Sequence, residues 1–407
     1  MAQLVSAKAV RTVNPIRRIV ENMKPPQCSD RELISLSLGD PCAHGNLRAP
    51  AFLSELVARA ALSGASDGYC HSAGAPAARA AVAAAYSTAA SPLCADDVFI
   101  TSGCSGALEL VFGALLDPGD NVLVPQPGFP LYKVVAESLG AEVRHYRLLP
   151  DRDWEVDLEH MASLIDGDTR AILVNNPSNP CGSVYSEEHL RAILALAAAR
   201  RLPLISDEIY GALAFPGAPR AFTPLAALPA RAPLITLGGL AKQCLVPGWR
   251  CGWALAALPE VLGAARREQL RAFHLDYAAF LEGNARFLVR RLAAVPGLSC
   301  SAPPQGAMFV MIRIDPAQLP GVADDVAFAE ALLREEAVAV LPGLAFGTPL
   351  HVRLVFCAPR ERLATAAARI EAFCRRCRCA GAAAGGATAA AAADPAAAAS
   401  TGRGDAA

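Results

Sequence analysis

Between Asp97 and Ala256, short apolar runs rich in β-branched residues alternate with segments whose apolar residues recur every three and four positions. The short runs predict strands, and the intervening pattern predicts amphipathic helices. This alternation is typical of βαβ crossovers around a mostly parallel sheet. We therefore predict a large α/β domain with seven strands: Val98–Thr101, Asn121–Pro125, Glu142–Leu148, Arg170–Asn176, Pro203–Asp207, Leu234–Leu237 and Trp249–Ala256.

The rest of the chain divides into four further segments. The large domain is expected to span 51–258, and segment 1–50 to join a second domain. A helical linker at 259–294 leads to that smaller α+β domain at 295–379, where strand and helix patterns are mixed. The tail at 380–407 is rich in Ala and Gly and has too few large apolar groups to offset its ordering entropy, so we predict that it is disordered.

Charge and composition favour a small-molecule substrate. The 407 residues include 37 basic and 38 acidic ones, so no net field draws the chain to nucleic acid or to an anionic membrane. No apolar run approaches the ~18–20 residues that a membrane span needs. We expect a cytoplasmic protein; the basic N-terminal run, without acids until Glu21, makes the mitochondrion the less favoured alternative.

The 13 cysteines are scattered, which fits reduced thiols rather than disulfides. Three of them, Cys374, Cys377 and Cys379, lie close together. They lack a second pair at metal-ligand spacing, so we expect no metal site.

The stretch Gly238-Gly239-Leu240-Ala241-Lys242 follows a predicted strand, and Arg250 lies eight positions further on. An isolated lysine after a strand is usually a solvated surface charge. Apolar and glycine neighbours would instead desolvate Lys242, lower its pKa and make it a nucleophilic amine. The planar, multi-donor guanidinium of Arg250 would suit a phosphate.

Three more polar segments follow predicted strands. Asp207 stands at a strand's carboxyl end, where ligands gather in parallel sheets. An acid that caps a helix or lies in a loop would explain the same position equally well. The segment Asn175–Gly182 indicates either a ligand-binding site or an ordinary turn, because Asn, Pro, Ser and Gly are all turn formers. The small residues of Thr101–Ala107 could form an anion site at a helix N-terminus, a weak signal by itself.

Together these segments resemble the fold-type I pyridoxal-phosphate-dependent aminotransferases, and the tyrosine aminotransferases in particular. The resemblance runs from about Asn14 through Cys374. Its most specific motifs are Leu38-Gly39-Asp40-Pro41 with Gly45-Asn46-Leu47, Asn175–Val184, Asp207–Gly211 and Gly238–Trp253.

The resemblance implies pyridoxal 5′-phosphate as cofactor. Lys242 would hold its aldehyde and later move the substrate proton, and Asp207 would pair with its ring nitrogen. Tyr210 and Asn179 would donate to the ring oxygen, and Phe129 would stack on the ring face.

The family pattern also implies sites for the two anionic groups. The cofactor phosphate would be held by Gly103, Cys104, Ser105, Arg250 and, from a second subunit, Tyr69. A homodimer is therefore expected. The substrate α-carboxylate would be held by Arg353, helped by Gly39 and Asn179.

The implied reaction converts L-tyrosine and 2-oxoglutarate into 4-hydroxyphenylpyruvate and L-glutamate. Another aminotransferase of broad aromatic or alanine specificity, or a lyase of the same fold, would use the same residues. Only 33 residues separate Arg250 from Asn284, fewer than the family normally has. We expect this shortening to expose apolar surface and weaken the domain hinge, so a catalytically impaired variant that binds cofactor or pairs with an intact chain is the remaining alternative.

Overall fold

A computed structural model describes residues 5–16, 19, 31–87, 92–229, 232–254 and 264–391. Within the helices, the side chains of 264–271 and 380–391 lie outside this description.

An eight-stranded sheet forms the centre of the large domain, in the order β2-β9-β8-β7-β6-β3-β4-β5. The five strands β8, β7, β6, β3 and β4 run parallel, whereas β9, β2 and β5 are antiparallel to their neighbours. The strands are β2 Phe99–Ser102, β3 Asn121–Gln126, β4 Glu142–Leu149, β5 Glu155–Val156, β6 Thr169–Asn175, β7 Leu204–Asp207, β8 Leu234–Gly239 and β9 Cys251–Ala254.

The predicted α/β fold is confirmed, and seven of these strands lie where the apolar runs predict them. The eighth, β5, is a two-residue strand paired with β4 at the sheet edge. Two residues are too few to produce an alternating or continuous apolar pattern, so the prediction of seven strands was one short.

Helices cover both faces of the sheet and form the outer layer of the small domain. Their starts follow local chemistry; for example, the Ser186 side chain accepts a hydrogen bond from the His189 N–H at the start of the helix Glu187–Arg200. The helices are α1 Ala7–Arg11, α2 Ala51–Ser63, α3 Pro76–Tyr86, α4 Gly103–Leu115, α5 Leu131–Leu139, α6 Leu158–Ser163, α7 Glu187–Arg200, α8 Leu240–Gln243, α9 Ala264–Ala293, α10 Asp325–Glu336 and α11 Arg360–Ala391.

The second sheet has four strands in the order β10-β11-β14-β13. A separate two-stranded sheet pairs β1 in the N-terminal segment with β12, in parallel. These strands are β1 Ile34–Ser35, β10 Leu298–Ser299, β11 Phe309–Ile314, β12 Val338–Ala339, β13 Leu341–Pro342 and β14 His351–Val355. The N-terminal segment thus lies against the C-terminal part of the chain.

Helix α9 makes up most of the short, 33-residue segment between Arg250 and Asn284. From Tyr277 onward its inner face is buried in the core of the small domain, through Leu281, Leu288 and Leu292. Leu275 is exposed on the same helix. Residues 255–263, at the start of the predicted linker, lie outside the described residues.

The first part of the tail is helical in the structure, whereas the sequence predicts disorder there. Helix α11 continues to Ala391, twelve residues past Cys379. Alanine has the highest helix propensity, and extending an existing helix requires no new nucleus. Residues 392–407 lie outside the described residues.

In the described part of the chain, no helix combines the length and the apolar composition that crossing a bilayer requires. The same residues hold no cluster of His, Cys, Asp and Glu able to bind a metal ion, and their twelve cysteines are free thiols.

Candidate active site

The carboxyl ends of three neighbouring parallel strands meet at one edge of the large sheet. Asn175 at the end of β6 is in register with Asp207 at the end of β7, and Asp207 with Leu237 of β8. Lys242 follows β8 on the short helix α8. These ends open into a cavity of about 310 Å³ between the large sheet and the small domain.

The cavity brings together ten of the twelve predicted site residues. Its lining includes Gly39, Cys104, Ser105, Phe129, Asn179, Asp207, Tyr210, Lys242, Arg250 and Arg353. Gly103 lies just behind Cys104 in contact range of Arg250. Tyr69 is fully exposed and lies outside the cavity of its own chain.

Lys242 is a desolvated amine. Its Nζ donates a hydrogen bond to the carbonyl oxygen of Gly39 in the N-terminal segment. Burial lowers its pKa, with a smaller lowering contribution from Arg353, while Cys357 and Asp40 act in the opposite direction. A lowered pKa raises the fraction of neutral, nucleophilic amine at neutral pH.

Asp207 is a buried carboxylate that faces the cavity. Its Oδ2 accepts a hydrogen bond of 2.8 Å from the Tyr132 hydroxyl, and its Oδ1 accepts from the Ile209 N–H at 3.2 Å and the Cys104 thiol at 3.5 Å. Burial raises the pKa of Asp207, and these three hydrogen bonds oppose that effect. Among the described residues no cation pairs with Asp207, so a cationic group in the cavity would relieve its burial.

Arg250 and the start of α4 form an open, donor-rich end of the cavity. The Nη2 of Arg250 donates to the Ser102 carbonyl at 3.2 Å, and its Nη1 donates to Pro247 at 3.0 Å. Gly103 has φ +73°, and a Cβ there would collide with the Arg250 guanidinium. Because the first N–H groups of a helix have no partner within it, this corner can bind an anion between α4 and Arg250.

Arg353 on β14 is a buried cation whose side chain is only partly satisfied. Its Nη1 donates to Asn179 Oδ1 at 3.0 Å and its Nη2 donates to the Ser37 carbonyl at 2.6 Å. Its Nε is buried without a hydrogen-bond partner, and no described carboxylate pairs with it. Burial lowers the pKa of Arg353 to about 10, so the group stays charged at neutral pH and can bind a carboxylate.

Two neutral polar groups and one aromatic ring complete the cavity. An arginine offers only donors, so Asn179 presents its oxygen to Arg353 and keeps its amide N–H groups for another partner. The ring of Tyr210 packs edge-on against Phe309, with ring centroids 5.7 Å apart. The Phe129 ring lines the cavity wall next to Tyr132.

Four residues that support this site were not predicted from the sequence. Tyr132 holds Asp207, and Asn175 donates from Nδ2 to the Asp207 carbonyl at 2.9 Å. Phe309 and Phe346 lie against the Arg353 guanidinium, whose carbon is 4.3 Å and 4.6 Å from the two ring centroids. The aromatic residues look like ordinary core in the sequence, whereas Asn175 was inside a motif but had no assigned partner.

The cavity therefore joins a desolvated amine, a buried carboxylate that has no cationic partner among the described residues, a donor-rich corner at a helix start and an arginine whose Nε has no hydrogen-bond partner. A ligand with a phosphate at one end and a protonatable ring nitrogen facing Asp207 fits this arrangement of charges. An amine at Lys242 can bond to an aldehyde of such a ligand.

Known proteins are similar to this chain in sequence and in fold. The family model for aminotransferase class I and II matches residues 31–272 and 256–370. The tyrosine aminotransferase of Bos taurus is 41% identical over 393 residues, which cover 90% of this chain and 87% of the relative. Among solved structures, the tyrosine aminotransferase of Leishmania infantum superposes with a TM-score of 0.83 at 33% identity, covering 92% of this chain and 99% of that one. The alanine aminotransferase of Pyrococcus furiosus gives a TM-score of 0.80 at 29% identity, covering 91% and 100%. The chain thus belongs to the class I and II aminotransferase family.

Proposed function

We propose that this chain is a pyridoxal-phosphate-dependent aminotransferase that moves the amino group of L-tyrosine to 2-oxoglutarate, giving 4-hydroxyphenylpyruvate and L-glutamate. One observation carries the proposal: the desolvated amine of Lys242 and the unpaired buried carboxylate of Asp207 share one cavity with the free donors of Arg353. The similarity to tyrosine aminotransferases favours tyrosine as the substrate.

Bound in this cavity, the cofactor would supply an electron sink for the bond that breaks at the substrate's α-carbon. Lys242 would hold its aldehyde and Asp207 its ring nitrogen. Asn179 and Tyr210 would donate to the ring oxygen, and Phe129 would cover the ring face. The phosphate would lie between Arg250 and the start of α4, where Gly103 leaves room for the guanidinium.

Each residue then has a defined task in the transfer. Arg353 binds the α-carboxylate, which orients the α-carbon toward Lys242 in the same cavity. The Nζ of Lys242 takes up and returns the α-proton, and its lowered pKa favours the neutral form that can accept it. Apolar side chains of Ile16, Leu38 and Leu341 also line the cavity and suit an aromatic side chain.

The proposal includes a homodimer. Tyr69 is exposed and does not reach its own cavity, and the Arg250 corner is open to solvent. Both features suit a site in which Tyr69 of a second copy approaches the phosphate. The cytoplasm stays the predicted compartment.

A second candidate shares every polar residue of the site. The cavity's charged groups recognise any α-amino acid, and the alanine aminotransferase of Pyrococcus furiosus has the same fold. Leu275, an apolar residue in the short segment between Arg250 and Asn284, is exposed on α9, and exposed apolar surface there is a feature that a catalytically impaired variant would show. The tyrosine relatives favour the first candidate.

The test is a half-reaction series with purified, cofactor-loaded chain. Tyrosine, alanine and S-adenosylmethionine are added separately, and the cofactor's visible absorbance is followed before 2-oxoglutarate is supplied. We predict that tyrosine changes the cofactor's spectrum faster than the other two compounds do. Adding 2-oxoglutarate should then restore the original spectrum and release glutamate. A faster response to alanine would favour the second candidate, and no response to any amino acid would indicate an impaired chain.

A further inference from the structure

The loop before β14 covers the arginine that binds the substrate carboxylate. The loop runs from Gly343 to Leu350 and begins with a turn of 3₁₀ helix over Gly343–Phe346. Its Phe346 is buried, and the Arg353 guanidinium carbon lies 4.6 Å from that ring's centroid. Together with Phe309 on β11, Phe346 holds the guanidinium by cation–π contact. The position of this loop therefore sets the position of Arg353.

Within the small domain, a single buried carboxylate fixes both halves of the loop. Asp325, at the start of α10, accepts hydrogen bonds from the Leu344 N–H at 2.7 Å and the Leu350 N–H at 3.0 Å. Bonds to an ionised acceptor are stronger than neutral ones. The loop is thus anchored to the small domain through Asp325.

Two further bonds tie the tip of the loop to the large domain. At the carboxyl end of β3, the Gln126 side-chain Nε2 donates to the Gly347 carbonyl at 2.6 Å. The Gly128 N–H donates to the Phe346 carbonyl at 3.2 Å. A Cβ on Gly347 would lie 2.6 Å from Gln126 Nε2, so the close approach depends on glycine. The residue after Gly128 is Phe129, which lines the cavity.

We infer that Gln126 is a positioning residue for substrate binding: through Gly347 it holds Phe346 against Arg353 and so sets the affinity for the α-carboxylate. Gln126 itself is not among the residues that line the cavity. Its effect therefore passes through the loop, and it should change the binding of carboxylate ligands without changing the chemical step. The inference rests on the proposed function only for the assignment of the α-carboxylate to Arg353.

The first test compares Gln126→Ala and the isosteric Gln126→Glu, which replaces the donor by an acceptor, with wild-type holoenzyme. Losing one hydrogen bond of ordinary strength predicts about a fivefold weaker interaction. The KM for tyrosine and the Kd for 3-(4-hydroxyphenyl)propionate, measured by calorimetry, should rise by about the same factor. The kcat and the cofactor's visible absorbance should stay within about twofold of wild type.

Two further variants complete the design. Gly347→Ala perturbs the same contact from the opposite side and should raise both constants at least as much, because its Cβ displaces Gln126. Gln318→Ala removes an exposed glutamine that bonds only Asp315 among the described residues and serves as the matched control. Unchanged KM and Kd in both Gln126 variants, or a fall in kcat at constant KM, would overturn the inference. If wild-type chain failed to transaminate tyrosine, the proposed function would fail, whereas the calorimetric Kd would still decide the role of Gln126.

Discussion

Replacing Arg353 should separate substrate binding from folding, because this side chain is buried without a charged partner. The residue is 3% exposed, and its guanidinium bonds only neutral acceptors, Asn179 Oδ1 and the Ser37 carbonyl, among the described residues. Truncating one partner of a buried charge pair with a carboxylate costs about 2–5 kcal/mol. For Arg353→Ala this corresponds to a loss of roughly 30- to 4,000-fold in kcat/KM.

The same variant series predicts a different result for stability. A buried cation without a carboxylate partner among the described residues opposes folding, so Arg353→Met should keep the free energy of unfolding within about 1 kcal/mol of wild type, or raise it. Arg353→Lys keeps the charge but loses the planar fork, and it should bind tyrosine more weakly than wild type. Arg313→Ala, on the exposed face of the neighbouring strand β11, is the matched control.

The assay is steady-state turnover with tyrosine, phenylalanine and alanine, together with urea denaturation. A rise in KM for every α-carboxylate substrate supports the assignment. A loss confined to tyrosine would mean that Arg353 reads the side chain instead, and an unchanged KM would refute the reasoning.

Three further predictions concern buried groups. Tyr132→Phe removes the 2.8 Å hydrogen bond to Asp207. Because such a bond to a charged group is worth about 1.5–3 kcal/mol, kcat should fall about tenfold or more while cofactor stays bound. An unchanged kcat would show that this bond does not support catalysis. In cofactor-free chain, the lowered pKa of Lys242 means that the folded state binds fewer protons than the unfolded state between the folded pKa and about 10.5. Wild type should therefore gain stability relative to Lys242→Met as pH rises through that window, as measured by urea denaturation, and a parallel pH profile would contradict this. Burial raises the pKa of Glu208 to about 7 from 4.5. Ionisation of this carboxyl therefore destabilises the fold as pH rises through that interval. The Glu208→Gln variant should be more stable than wild type by up to about 3 kcal/mol above pH 7, with no gain near pH 4.

The sequence predicts the large domain well because its strands are buried on both faces. Strands β3, β6 and β7 are almost continuous runs of buried residues, which is the pattern of a parallel sheet covered by helices. The short edge strand β5 carries no such signal. The tail helix was missed because composition favours disorder, whereas a preceding helix that is already formed favours continuation through alanine.

The candidate site also contains some residues that the sequence predicts and others that it does not. Residues next to strand ends, such as Asp207 and Lys242, could be singled out because parallel strands bring their carboxyl ends together. Tyr132 could not, because a tyrosine on the apolar face of α5 looks like core until the fold places its hydroxyl at Asp207. Gln126 and Phe346 are 220 positions apart in sequence, and only the packing of the small domain on β3 brings them together.

The claim that Lys242 and Asp207 form a cofactor site is tested most directly by the absorbance spectrum of the purified chain with pyridoxal 5′-phosphate, before and after addition of tyrosine. We predict a visible band in wild type that is absent in Lys242→Ala and that changes when tyrosine is added. A wild-type chain with the same spectrum as Lys242→Ala would contradict it.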